Sequence, residues 1–179
     1  PWEMAWAIEN APICFIPLGV LEWHGEHNAV GLDAIKAHAV CVKAAQRSGG
    51  IVIPPIYWAS DTREELENGN YLTGGFQPGD RYHVPGNMFW IKSETFLNLL
   101  LDIYDTVYHR GFKVIFVVSG HWSDQGNLPV IRKSGEIFLS RNPKMKWVFM
   151  TDQEVVPDLH YPWEHAAGGE TSLLMAIRP

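Results

Sequence analysis

Glu22, His24, Asp33 and His121 are the side chains whose types and spacing point most directly to chemistry. Carboxylate oxygens and imidazole nitrogens together suit a divalent transition metal such as Zn, Mn, Fe or Co. In an extended segment alternate side chains share a side, so Glu22 and His24 can reach one centre or two adjacent centres. A carboxylate can bridge two ions, and Asp33 stands at the start of a helical pattern, where it also suits an N-cap. Singly, each residue has a plainer role: a Glu-x-His pair in a loop is usually a solvated turn, and a Gly-His after a strand a loop histidine. Clustered carboxylates repel one another, however, and a dication resolves that repulsion. A further group comes late in the chain, where Trp163-Glu164-His165 is followed by Glu170.

Four short runs must position these residues. Segments 13–18, 51–57, 114–119 and 147–151 are rich in β-branched or aromatic residues and bounded by Gly, Pro, Ser or Asp, which predicts buried strands. They read as continuous rather than alternating, as strands covered on both faces do. Helical patterns lie between them. The first, 33–48, is Ala-rich and stops at Gly49-Gly50; the second, 93–110, repeats Phe96, Leu99, Leu100, Ile103 and Val107. A third, 128–139, has Pro129 in its first turn, and a fourth begins near Glu170 and is still running at Pro179. This alternation predicts an α/β class: a single-domain three-layer fold over 1–179, with a mostly parallel sheet and helices on both faces. Ligands of such sheets bind beyond the carboxyl ends of the strands, so the active site is expected there. Glu22, His24 and Asp33 follow the first strand, His121 the third, and the Glu164–Glu170 group comes after the fourth.

The rhythm breaks at 59–87, which contains Gly69, Gly74, Gly75, Gly79, Gly86, Pro78 and Pro85; so long a connection predicts an active-site loop or lid. A net charge of −6 argues against a nucleic-acid partner, whose footprint would be basic and clustered. No run of about 18 apolar residues predicts a membrane span, and no secretion signal is visible. Cys14 and Cys41 sit in apolar surroundings and are expected as buried free thiols, which makes a reducing, cytoplasmic setting the default. No Gly-rich phosphate cradle follows any strand, which excludes a flavodoxin-like nucleotide binder.

Residues 17–27, Pro-Leu-Gly-Val-Leu-Glu-Trp-His-Gly-Glu-His, followed by Asp33, resemble the P-x-G-S-x-E-Q-H-G-P-H…D signature of the creatininase (creatinine amidohydrolase) family. Ser119-Gly120-His121 with Gly126-Asn127 is similar to that family's N-G-H-G-G-N loop, and residues 165–172 are similar to its H-A-G-x-x-E-T-S element. Pro54-Pro55-Ile56-Tyr57 and Pro85-Gly86, followed by Ser93-Glu94-Thr95, match further landmarks in order. The resemblance covers nearly the whole chain.

It implies a dinuclear metal hydrolase acting on a cyclic amide or related C–N bond, with two divalent ions, Zn and/or Mn, and Fe as a further candidate. Carried over, Glu22, His24, Asp33 and His121 match metal ligands and Glu170 a later acidic position. His165 matches a histidine with an acid–base role, and Glu164 directly before it would favour its protonated form. The resemblance also implies a homo-oligomer, of which a hexamer is the expected form; the aromatic Trp2 and Trp6 suit a subunit contact. Departures from the pattern are Val20, Trp23, Glu26, Asn87 and Ser123, the last standing where creatininase has a Glu two residues after its loop histidine. Either Asp124 or Glu170 then completes the ligand set. The departures lie around the substrate more than in the metal core, so they count against creatinine itself while leaving metal hydrolysis intact. Because the chain stops in mid-helix, a chain shortened at its C-terminus is expected. The alternative reading is a non-catalytic creatininase-like subunit that binds a small ligand or serves in assembly. The walls of the site are expected from Trp58, Trp122 and Trp163.

Overall fold

The computed structural model describes residues 2–60, 63–65, 71–73, 88–155 and 165–178. In chain order its elements are α1 (Trp2–Asn10), β1 (Ile13–Leu18), β2 (Leu21–Glu22), α2 (Leu32–Ser48), β3 (Ile51–Val52), β4 (Arg63–Glu65), β5 (Tyr71–Thr73), β6 (Met88–Phe89), α3 (Ser93–His109), β7 (Val114–Ser119), α4 (Asn127–Arg141), β8 (Lys146–Thr151) and α5 (Gly168–Ile177). β1, β3, β7 and β8 form a four-stranded sheet in the order β3-β1-β7-β8, with every pairing parallel.

The strand side chains alternate between two cores, as a pleated ribbon requires. Cys14, Ile16, Leu18, Ile115 and Val117 pack with Phe96, Leu100 and Tyr104 of α3 and with Ile131 and Phe138 of α4. Phe15 and Val118 point to the opposite face and pack with Ala37 and Cys41 of α2. The result is the expected three-layer α/β arrangement. Both cysteines are buried and free, and burial pushes each thiol up to about 12.

Register decides where the loops emerge. Leu18 pairs with Ser119, and Ser119 with Thr151, so β1, β7 and β8 end on one line. The helices that follow β1 and β7 lie on opposite faces of the sheet, α2 on one and α4 on the other. Adjacent strands whose following connections diverge in this way leave a crevice between their carboxyl ends.

Four expectations change. The second strand is narrower than 51–57: Pro54 and Pro55 lack the N–H a ladder needs, so regular pairing stops at Val52. The chain still runs beside β1, through Ile53 N–H to the Phe15 carbonyl at 3.1 Å and Ile56 N–H to the Pro17 carbonyl at 3.0 Å. β8 alternates between exposed and covered positions because it is an edge strand, unlike the continuously buried β1. The helix α1 has no counterpart in the sequence reading; it buries only Ala7, so its apolar periodicity is weak. Asp33 is not the N-cap of α2, a position held by Gly31 without a side-chain hydrogen bond. Within the 59–87 connection β4 and β5 pair antiparallel; most of that connection, together with Trp163 and Glu164, lies outside the described residues.

Candidate metal centre

Asp33 lies in the first turn of α2, and two glycines let that turn sit directly on the strand ends. A Cβ on Gly19 would lie 2.2 Å from the Ala34 nitrogen, and one on Gly120 would lie 2.1 Å from the Asp33 carbonyl oxygen. Neither distance is tolerable, so only glycine after β1 and β7 allows this seating. The Asp33 carboxylate is thereby buried between the two loops, at the positive end of a helix. Glu22 is delivered by β2, which pairs with β6, and its N–H donates to the Val30 carbonyl at 2.9 Å. His121 follows β7 immediately. Its loop is braced by Asn127, whose Nδ2 donates to the His121 carbonyl at 3.0 Å and to Ser119 Oγ at 3.1 Å. Asn127 Oδ1 in turn accepts from the Ser123 N–H at 2.9 Å.

These residues form two buried sets of three that share Asp33. In one, Glu22, Asp33 and His121 each offer a ligand atom, and in the other His24, Asp33 and Glu170 do, the atoms of each set lying within 4.8 Å of one another. Asp33 divides its oxygens between them. Oδ2 lies 3.2 Å from His121 Nδ1, and Oδ1 lies 3.3 Å from His24 Nε2. His121 Nδ1 is also 3.1 Å from Glu22 Oε2. Glu22 and His24, two residues apart, therefore serve neighbouring sets in the buried layer. All five of these residues are buried.

The donor chemistry fits a metal. His24 Nδ1 lies 3.0 Å from the Glu22 carbonyl, which only accepts, so Nδ1 carries the hydrogen and Nε2 is the ligating nitrogen. That Nε2 is buried and completes no hydrogen bond among the described residues, although it faces Asp33 at 3.3 Å and Glu170 at 3.7 Å. A lone pair facing two carboxylates calls for a cation. Without a metal a proton answers: burial works against the charged ring, but Asp33, the Glu22 carbonyl and Glu170 outweigh it and raise the pKa to about 9. For Asp33, burial would raise the pKa, yet Lys36, His121 and His24 hold it well below the usual carboxylate range.

Two charged residues that the sequence reading missed complete the cluster. Lys36, one turn after Asp33, is buried with its Nζ 3.3 Å from Asp33 Oδ1 and 3.5 Å from Asp152 Oδ2, and it donates to Glu170 Oε1. Burial opposes its charge, and Asp33, Asp152 and Glu170 more than restore it, so the ammonium is held protonated above its ordinary range. Asp152 is the residue after β8; burial raises its carboxyl, with Lys36 and the Trp122 indole acting against that. Trp122 Nε1 donates to Asp152 Oδ1 at 2.8 Å, which places one of the three expected tryptophans beside the cluster. Trp58 is instead 44% exposed and packs edge-on to Phe89 with ring centroids 6.0 Å apart. A signal for Lys36 was present, since it stands on the same helix face as Asp33, Ala37 and Cys41, where a lysine needs a buried partner.

Of the two candidates for the remaining carboxylate, Glu170 is the one at the centre. Asp124 is exposed and belongs to none of the ligand groups found among the described residues. Glu170 sits in the first turn of α5, and its Oε2 accepts from the Ala166 N–H at 2.7 Å. Ala166 has φ of 56°, a left-handed conformation that L-residues seldom adopt and that is concentrated at functional sites. The turn carries His165 over His24, with ring centroids 4.6 Å apart, and His165 Nε2 lies 3.2 Å from the Trp23 carbonyl. His165 is exposed and forms a third, rim-side group with Glu22 and His24.

A family model described as "Creatininase: Creatinine amidohydrolase" matches residues 2–179. The chain belongs to the creatininase family. Creatinine amidohydrolase of Pseudomonas putida is 26% identical over 182 residues, covering 93% of this chain and 65% of its own length. A 3-dehydro-scyllo-inosose hydrolase of Thermotoga maritima is 23% identical over 180 residues, covering 96% of this chain and 52% of its own length. The chain thus spans less than two thirds of these curated relatives. A crystal structure of creatinine amidohydrolase matches 100% of this chain and 70% of its own with a TM-score of 0.76 at 22% identity, so the two share a fold. A manganese form and a Zn–Zn form of creatininase match with TM-scores of 0.75.

Proposed function

We propose that this chain is a metal-dependent hydrolase that cleaves an amide or cyclic-amide C–N bond in a small molecule. The observation that carries the reading is the pair of buried three-residue sets sharing Asp33, set at the crevice between β1 and β7. Divalent ions held there, Zn or Mn by analogy with the neighbouring structures and Fe as a third candidate, would supply Lewis acidity and an activated water. Glu22, Asp33 and His121 would hold one ion, and His24, Asp33 and Glu170 have the donors for a second. Asp33 presents one oxygen to each set, and the Glu22 carbonyl fixes the tautomer of His24. His165, at the exposed rim, would give a proton to the departing nitrogen, because an amide anion is a poor leaving group.

The two curated relatives bear the names of hydrolases with different ring substrates. Hydrolysis is what they share, so this chain's own substrate is read as a small ring, and the departures at Val20, Trp23 and Ser123 set it apart from creatinine. Assembly as a homo-oligomer, a hexamer in this reading, is supported by α1, which leaves Trp2 75% and Trp6 61% exposed. A cytoplasmic setting goes with the two free buried thiols. No helix among the described residues is long and apolar enough to cross a membrane.

The test uses protein stripped with a chelator and then restored with Zn or Mn, assayed on a panel of lactams, hydantoins and related cyclic amides. Ring opening that is lost on stripping and returns with metal supports the reading. Full loading without turnover on any member would favour the non-catalytic binding subunit. Light scattering on the same preparation reads the assembly, and a monomeric mass at micromolar concentration would remove the oligomer from the proposal.

A further inference from the structure

The set formed by His24, Asp33 and Glu170 already contains a cation. Lys36 projects from the buried face of α2, and its Nζ is shared by carboxylates from three places in the fold: Asp33 on the same helix, Asp152 after β8, and Glu170 on α5. The contacts are lopsided with respect to the two sets. Lys36 and His24 both face Asp33 Oδ1, whereas Oδ2 is left to His121. Of the Glu170 oxygens, Oε1 accepts from Lys36 and Oε2 accepts from the Ala166 backbone. The ammonium therefore lies against oxygens of the His24, Asp33 and Glu170 set.

Charge then separates the two sets. Among the described residues the buried cluster holds four carboxylates, Glu22, Asp33, Asp152 and Glu170, and one lysine, which leaves an excess of three negative charges when all four are ionised and both imidazoles are neutral. One dication among Glu22, Asp33 and His121 removes most of that excess. A second dication on the other side would sit beside a buried ammonium and would compete with it for Asp33 Oδ1. Asp152 offers the displaced ammonium a carboxylate to retreat to, itself held by Trp122.

We propose that the Lys36 ammonium stands in for a second metal ion. The chain holds one divalent ion tightly at Glu22, Asp33 and His121, and it admits a second at His24, Asp33 and Glu170 only by displacing Lys36. This rests on the metal-hydrolase reading above and adds an inequality between its two sets. Like charges about 4 Å apart near a protein surface repel by several times RT, so the second ion should bind at least about 10²-fold more weakly than the first.

The experiment is a Zn titration of the stripped, folded protein by calorimetry, with the ions retained after gel filtration counted by elemental analysis. Wild type is expected to retain one ion per chain and to show a second event at least a hundredfold weaker. Lys36→Met should retain two, and Lys36→Arg, which keeps the charge, should stay at one. Two tight ions of similar affinity in wild type would overturn the proposal while leaving the metal reading intact, and this arm needs no variant to fold. A folded Lys36→Met that still retains one ion would overturn it as well. Failure of wild type to retain any ion would overturn both readings together.

Discussion

His165 is held at the rim by contacts that differ in kind from those of the buried residues beneath it. Its ring lies against His24 and its Nε2 reaches the Trp23 carbonyl, but it is exposed where Glu22, His24, Asp33, His121 and Glu170 are not. A proton donor needs that access, and a ligand does not. Replacing His165 by Ala is therefore expected to lower turnover by roughly 10²–10⁴-fold, the usual range for a positioned acid or base, with metal content unchanged. Loss of an ion, measured by elemental analysis, would instead make His165 a ligand alongside Glu22 and His24; unchanged turnover would make it a bystander. At this scale much was legible from the sequence. Glu22, His24 and Asp33 all come between β1 and the first turn of α2, His121 comes just after β7, and the rule that parallel sheets present their loops on one edge is enough to draw them together. Lys36 is harder to read, because a lysine in a helix is ordinarily solvated and only its place on the face of Asp33, Ala37 and Cys41 speaks against that. Its burial depends on Asp152 and Glu170, which are distant in sequence, and Asp152 was passed over although it too follows a strand.

The elements matter here for how closely they approach. The first turn of α2 rests on Gly19 and Gly120, and no side chain intervenes between Asp33 and the ends of β1 and β7. Gly120→Ala would force the Asp33 backbone away from β7, since its Cβ would meet the Asp33 carbonyl at 2.1 Å. Overpacking of this kind typically costs about 1–3 kcal/mol. For a chain of this size that lowers the melting temperature by roughly 2–4 °C per kcal/mol. The predicted outcome is a drop of about 2–12 °C by calorimetry, with weaker metal retention; an unchanged melting temperature would show that α2 is not seated as described. Strands β1, β7 and β8 and helices α2, α3 and α4 were readable from composition and periodicity. β3 was read too long because its Ile and Tyr residues outweighed Pro54 and Pro55, whose missing donors end the ladder. Helix α1 was missed because a helix that buries one alanine carries little periodic signal.

Across the whole molecule, a parallel sheet in the order β3-β1-β7-β8 sends the connections after β1 and β7 to opposite faces, and the ligand-type residues gather in the crevice this leaves. The buried carboxylates there would be an electrostatic burden without cations. Lys36 supplies one at Asp33, Asp152 and Glu170, and an ion at Glu22, Asp33 and His121 would supply most of the rest. Family membership, the shared fold and this charge balance are what support the proposal of metal-dependent hydrolysis. The decisive measurement is anomalous diffraction above the Zn edge, from crystals of protein loaded with one equivalent of Zn. A strong anomalous peak is expected within coordination distance of Glu22, Asp33 and His121; no peak near His121 and Asp33 would overturn the metal centre.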